Sequence, residues 1–200
     1  MVVDVDEVLG LFIQGFAAFL ETRGYEFRLE RFALFQNIYR PRAEAHLDLA
    51  TGKGLYDDFF RTGCGEIEPA PGAVAALARL SGRAGIVALS NAPAQARTLR
   101  AAWLKRHGLD FPLILNVGPK GPVTAALAVQ TAYRTAFIDD LLPNLDSVAE
   151  HAAGVATFQH VADERLRPLA PSAPERHRRI DDWAELGEAI EAALAQPSKP

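Results

Sequence analysis

Beyond residue 69 the chain alternates short apolar runs with amphipathic stretches, whereas the residues before it follow a different pattern. Pro71-Gly72 opens a helix that continues through Leu80 and stops at Ser81-Gly82. Residues 84–89 form an apolar run that reads as a strand ending at Ser90-Asn91. The rhythm then repeats: helix over 95–107 closed by Gly108, strand over 112–117, helix over 123–133, strand over 135–138, helix over 145–153 and a last short strand over 155–158. Strands parted by helices in this way predict an α/β fold, a parallel sheet with helices on both faces. Residues 167–174, with their prolines, read as irregular, and 183–195 as a closing helix with a frayed tail to Pro200.

The N-terminal third starts with a β-branched apolar pair, Val2-Val3, ahead of Asp4-Val5-Asp6, and this reads as a first buried strand. Leu9, Phe12, Phe16, Phe19 and Leu20 then recur at helical spacing up to Gly24. Leu29, Phe32 and Phe35 predict a second helix over 29–37, punctuated by Pro41; a third is expected over 43–50 and a fourth over 55–61. Residues 10–69 therefore read as a small all-helical unit with no strand of its own, and its phenylalanines and tyrosines as its core. The unit interrupts the α/β domain, residues 1–9 and 70–200, between the first and second strands, over the loop that follows Asp6.

Composition changes this picture little. At 200 residues and 49% hydrophobic content the chain suits one domain with an insertion, able to bury a sizeable core. A net charge of −4 provides no electrostatic footprint for nucleic acid. The single cysteine, Cys64, between Gly63 and Gly65, excludes an internal disulfide and a multi-thiolate metal site, and it reads as a small residue in a tight turn. With no leader-like start and no run long enough to span a bilayer, a cytoplasmic protein without a membrane partner is expected. Oligomeric state is not legible. The five histidines lack metal-ligand spacing and read as surface or partly packed residues, and Arg176-His177-Arg178-Arg179 as a solvated helix face or linker.

The chemistry lies at the strand ends. Asp4 and Asp6 follow the first strand, Ser90 the second, Lys120 the third and Asp139-Asp140 the fourth. Each has an ordinary alternative: a helix cap for Ser90, an exposed loop lysine, a polar strand exit. In a parallel sheet, however, the carboxyl ends share one edge, where residues far apart in sequence converge. Three carboxylates brought together need a cation, and an all-oxygen set suits Mg²⁺ better than zinc. One carboxylate is then free to attack while metal and lysine hold an electron-rich phosphoryl group. Phosphoryl transfer through an aspartyl-phosphate follows as the hypothesis.

Asp4-Val5-Asp6, Ser90, Lys120 with Pro122 and the helix after it, and Asp139-Asp140 resemble, in order and spacing, the motifs of the haloacid dehalogenase superfamily. The resemblance covers about the whole chain. It implies a Rossmann-like core, a small helical cap inserted after the first strand, and Mg²⁺-dependent phosphatase activity on a small phosphorylated metabolite. Carried over, Asp4 is the nucleophile and a metal ligand. Asp6 protonates the leaving group, deprotonates water and gives the metal its main-chain carbonyl. Ser90 hydrogen-bonds the phosphoryl group, and Lys120 neutralises nucleophile and phosphate. Asp139 and Asp140 hold the metal, directly or through water. The second aspartate, which the dehalogenase branch lacks, favours phosphoryl chemistry.

Candidate substrate contacts are Asn91 and, from the cap, Phe12, Gln14, Arg40, Lys53 and Tyr56. Phe12 with Phe59-Phe60 and the segment Glu68 to Gly72 looks somewhat like the deoxyribonucleotidase branch, and a phosphomutase would share both aspartates. One position departs from the family: Glu7 stands where glycine usually follows the second aspartate. There it either repels phosphate as a brake, points away, or adds polarity to the substrate pocket. A weakly active binding or regulatory module is the alternative that Glu7 motivates.

Overall fold

The computed structural model describes residues 1–196, so the frayed tail expected at 197–200 lies outside the described residues. Strand β1 (Val2–Val3) leads into the insert, which holds helix α1 (Phe12–Thr22), strands β2 (Glu26–Phe27) and β3 (Ile38–Tyr39), and helix α2 (Leu49–Thr62). The chain returns through α3 (Ala73–Ser81), β4 (Val87–Ser90), α4 (Arg97–Arg106), β5 (Leu113–Leu115) and α5 (Gly121–Ala128). It ends in β6 (Ala136–Asp139), α6 (Leu142–His151), β7 (Ala156–Gln159), β8 (Arg178–Arg179) and α7 (Trp183–Ala195).

The main sheet is parallel throughout, in the order β5-β4-β1-β6-β7-β8. Successive strand side chains point to opposite faces, and each valine of β1 seeds one face of the core. Val2 gathers with Leu89, Phe137 and the α6 residues Leu145 and Val148. Val3 gathers with Ala88, Ile138, Leu77 of α3 and Leu186 of α7. Because the chain proceeds from β1 to β4 on one side and later crosses to β6 on the other, the carboxyl end of β1 is a topological switch point. Such points open a crevice for ligands.

The two linkers between core and insert pair with each other, Leu11 N–H donating to Glu68 O and Ala70 N–H to Leu9 O at 2.9 and 2.7 Å. A buried indole fixes each of them: Trp183 Nε1 donates to Val8 O at 3.1 Å and Trp103 Nε1 to Ile67 O at 2.7 Å. Gly10 packs closely here: a β-carbon would lie 2.4 Å from Ile67 Cδ1, so the Ile67 side chain would have to shift to admit one.

The structure departs from the sequence expectation in three places. Residues 29–34 are not helical, and Phe35–Asn37 forms only a single 3₁₀ turn. Buried Asn37 donates from Nδ2 to the carbonyls of Arg31 (2.9 Å) and Ala33 (2.7 Å), which ties this stretch into a loop, and β2 and β3 on either side pair as an antiparallel ribbon. Residues 43–48 are also non-helical, because Leu47 N–H donates to Ile38 O along β3 and the helix starts only at the Asp48 cap, whose Oδ1 accepts from Thr51 N–H. Finally, the basic run near the C-terminus is neither linker nor helix. Arg178–Arg179 forms the edge strand, and His177 is buried between Thr157 Oγ1 and Asp146 Oδ1 at 2.8 Å each. Among the described residues no helix is long and apolar enough to cross a membrane.

Candidate active site

Asp4 leaves β1 where its backbone N–H still donates to Ile138 O, so its carboxylate projects from the sheet edge at the switch point. Lys120 reaches it from the turn before α5. Its ammonium lies 2.6 Å from Asp4 Oδ1 and 2.7 Å from Asp139 Oδ2, with 1% of the side chain exposed. Gly121 makes this approach possible, because a β-carbon there would meet Ser147 O at 2.2 Å and push α5 from α6. Burial alone would lower the Lys120 pKa, but Asp139 and Asp4 together carry it above its usual range. Burial pushes Asp4 up to about 7, against the pull of Lys120. Asp140 is raised well above the carboxylate range by burial and by Asp139 and Asp4.

Asp4, Asp139 and Asp140 each offer a carboxylate oxygen within 4.8 Å of the other two. Three buried carboxylates against one ammonium leave negative charge uncompensated, and this oxygen set fits a hard divalent cation such as Mg²⁺. The two neighbours at the end of β6 are not equivalent. Asp139 is already satisfied: besides Lys120 it accepts from Leu141 N–H at 2.9 Å and Asn144 Nδ2 at 3.0 Å. Asp140 faces the cavity in front of Asp4.

Asp6 is turned the other way. Oδ1 is ion-paired with Nη2 of Arg100, a fully buried residue of α4 whose Nη1 also donates to Cys64 O at 3.0 Å. Oδ2 receives the Ser90 hydroxyl at 3.3 Å, and Ser90 Oγ itself accepts from Ala92 N–H at 3.0 Å. Ser90 is completely buried behind Asp6. Glu7 stands at φ 59°, in the left-handed region that glycine adopts freely. Its Oε1 accepts from Ile13 N–H in the first turn of α1 at 2.6 Å, and its Oε2 from Asp163 N–H at 3.3 Å. Glu7 thus ties the insert's first helix to the core loop after β7. Burial pushes its pKa up to about 8.

A cavity of about 290 Å³ opens over these groups. Of the residues singled out in the sequence, Asp4, Asp6, Glu7, Asn91, Lys120, Asp140, Phe12, Tyr56 and Phe60 line it. Asp139 and Ser90 lie behind the lining, and Gln14, Arg40 and Lys53 are exposed residues outside it. Sequence reasoning missed Arg100, Asn144 and the loop residues Phe32 to Leu34. Arg100 had a legible signal: it falls on the stripe of Ala96, Trp103 and Leu104, a charge at a core position of a helix.

Neither a protein-family model nor a curated protein sequence matches the chain. Solved structures do. YfnB of Bacillus subtilis, a HAD-type protein bound to magnesium, matches at TM-score 0.64 and 15% identity, over 94% of this chain and 96% of that one. The fold is that of the haloacid dehalogenase (HAD) superfamily. The HAD-like hydrolase family protein SP0104 of Streptococcus pneumoniae matches at TM-score 0.62 and 14% identity over 94% and 96% of the two chains. The D,D-heptose 1,7-bisphosphate phosphatase of B. bronchiseptica, complexed with magnesium and phosphate, matches at TM-score 0.52 and 14% identity over 96% and 97%. In this fold the carboxyl end of β1 carries both aspartates, and the insert lies between β1 and β4.

Proposed function

We propose that this protein is a Mg²⁺-dependent phosphatase that hydrolyses a small phosphorylated molecule through an aspartyl-phosphate on Asp4. The observation that carries the reading is the buried set at the switch point, in which Lys120 joins Asp4 to Asp139 with Asp140 alongside. The magnesium and phosphate in the heptose bisphosphate phosphatase add support from a structural relative.

Asp4 attacks phosphorus through a carboxylate oxygen. As the new O–P bond forms, the bond to the leaving oxygen breaks, and Asp6 gives that oxygen a proton. Water then attacks the same phosphorus and loses its proton to Asp6, the Asp4–phosphorus bond breaks, and inorganic phosphate leaves. Burial works against an ionised Asp4, and Lys120 offsets it. Arg100 and Ser90 hold Asp6 between them. Asp4, Asp140 and the Asp6 carbonyl would hold Mg²⁺, with Asp139 engaged mainly in fixing Lys120. Bound Mg²⁺ supplies positive charge against the phosphoryl oxygens.

The test is phosphate release from a panel of small phosphomonoesters with Mg²⁺, with chelator, and with Asp4→Asn. Turnover that needs both the metal and Asp4 is expected. A folded protein with no metal-dependent turnover on any ester would overturn the reading in favour of a binding module.

A further inference from the structure

The insert's half of the cavity carries no charge. Its walls are Phe12, Tyr56 and Phe60 from α1 and α2, with Phe32 and Leu34 from the ribbon loop that Asn37 pins. Phe12 and Phe60 stack at 5.8 Å with their planes 19° apart, and Tyr56 meets Phe60 edge-on at 4.6 Å. The Tyr56 hydroxyl is the only side-chain polar atom these five provide. On the core side Lys120 is, among the described residues, the one cation of the lining, already held between Asp4 and Asp139. Both Glu7 oxygens are taken by backbone N–H groups.

A leaving group in this space therefore meets ring faces and alkyl carbon. A second phosphate would find no free cation in this lining, and against the insert's wall the hydroxyls of a sugar or the polar edge of a nucleobase would lose water for one phenol partner. Aromatic rings pack well against such walls, stacked or edge-on. The volume lies at the low end for small-molecule sites, enough for a compact group.

We infer that the site takes phosphomonoesters of small apolar alcohols that carry an aromatic ring, seated against Phe12, Phe32, Tyr56 and Phe60. The inference rests on the phosphatase reading and names the substrate class for it.

The experiment compares kcat/KM with Mg²⁺ for benzyl and 2-phenylethyl phosphate against glycerol 3-phosphate, glucose 6-phosphate and deoxyuridine 5′-monophosphate. All are alkyl esters, so intrinsic reactivity does not favour the aromatic pair. A preference of about tenfold or more for the aromatic pair is expected, the scale of one apolar group in a fitted pocket. Phe32→Ser should lower kcat/KM for benzyl phosphate about tenfold, mainly through KM, and Phe32→Leu should keep most of it. A polar ester or the nucleotide used as well as the aromatic esters, or an unchanged KM in Phe32→Ser, would overturn the inference. If no ester turns over, the phosphatase reading fails, and the pocket is judged by fluorescence titration with 1-naphthyl phosphate. Saturable binding that Phe32→Ser weakens about tenfold upholds the aromatic site; no saturable binding overturns it.

Discussion

Replacing Lys120 by methionine keeps the side chain out to Cε and removes the ammonium from between two carboxylates. In the metal-free protein at pH 8, Asp4 is largely ionised, since its pKa lies at about 7. Removing the ammonium also removes the pull that holds Asp4 at about 7, so its pKa rises further. While both are ionised, the Asp4 and Asp139 oxygens, within 4.8 Å of each other, repel by about 3 kcal/mol at an effective dielectric constant of about 20, and proton uptake by Asp4 relieves part of this. Breaking a buried pair by removing one partner costs about 3–5 kcal/mol, so both routes arrive at the same size. Asp4 has a folded pKa above its unfolded one, so its charge disfavours folding as pH rises through about 7 and does no harm below about 4. At pH 6 Asp4 mostly holds its proton, and the loss in Lys120→Met should shrink to about 2 kcal/mol, the worth of the charged hydrogen bond to Asp139. Urea denaturation of both proteins at pH 8 and pH 6 with chelator measures this directly. A loss below about 1 kcal/mol at pH 8, or an equal loss at both pH values, would show that Lys120 does not neutralise this cluster.

Glu7→Gly removes a left-handed residue that costs about 1–2 kcal/mol, but it orphans the buried Ile13 and Asp163 N–H groups at about 1–3 kcal/mol each; a net loss of about 2 kcal/mol in chemical denaturation is expected, and a stabilised variant would refute the link between insert and core. Arg100→Lys keeps the charge but cannot span Asp6 and the Cys64 carbonyl together; kcat should fall about 100-fold with KM little changed, and a KM effect alone would refute a positioning role. Burial lowers the His160 pKa to about 4, against the opposing pull of its Ile180 carbonyl partner. Folded His160 thus stays neutral where unfolded histidine charges, so wild type should lose about 3 kcal/mol relative to His160→Phe as pH falls from about 6.5 to about 4; parallel pH–stability curves would refute it. Mg²⁺ should raise Tm more at pH 8 than at pH 6, because Asp4 and Asp140 must give up protons to bind it; an equal or reversed pH trend would count against that ligand set.

The sheet was legible because each core strand is a short apolar run between turn residues, and the catalytic candidates were legible because strand ends converge wherever the sheet is parallel. Asp4, Lys120 and Asp140 needed no tertiary knowledge beyond that rule. Strand β8 had no such signal: Arg178 and Arg179 join the sheet through backbone pairing with Phe158 and Gln159, while their side chains carry the charge that made the run look solvated. The ribbon loop was misread for a related reason. Leu29, Phe32 and Phe35 do recur at helical spacing, but Asn37 binds carbonyls of that stretch through its side chain, and a local apolar period cannot register a competitor outside its own pattern.

Arg100, Asn37 and Glu7 show what would have been readable. Each is a polar residue at a position whose surroundings ask for an apolar or small one: Arg100 on the buried stripe of α4, Asn37 before the apolar pair of β3, Glu7 at a left-handed turn in an apolar segment. Burying such a group without partners costs more than a domain can spare, so its presence announces specific partners before they are known. The partners prove to be the ones that shape the site: Arg100 holds Asp6, Asn37 places Phe32 and Leu34, and Glu7 fastens α1 to the core. Four strand ends locate the carboxylate cluster; these three out-of-pattern residues hold Asp6, the pocket wall and the join between insert and core, and substitutions there should alter substrate choice and turnover.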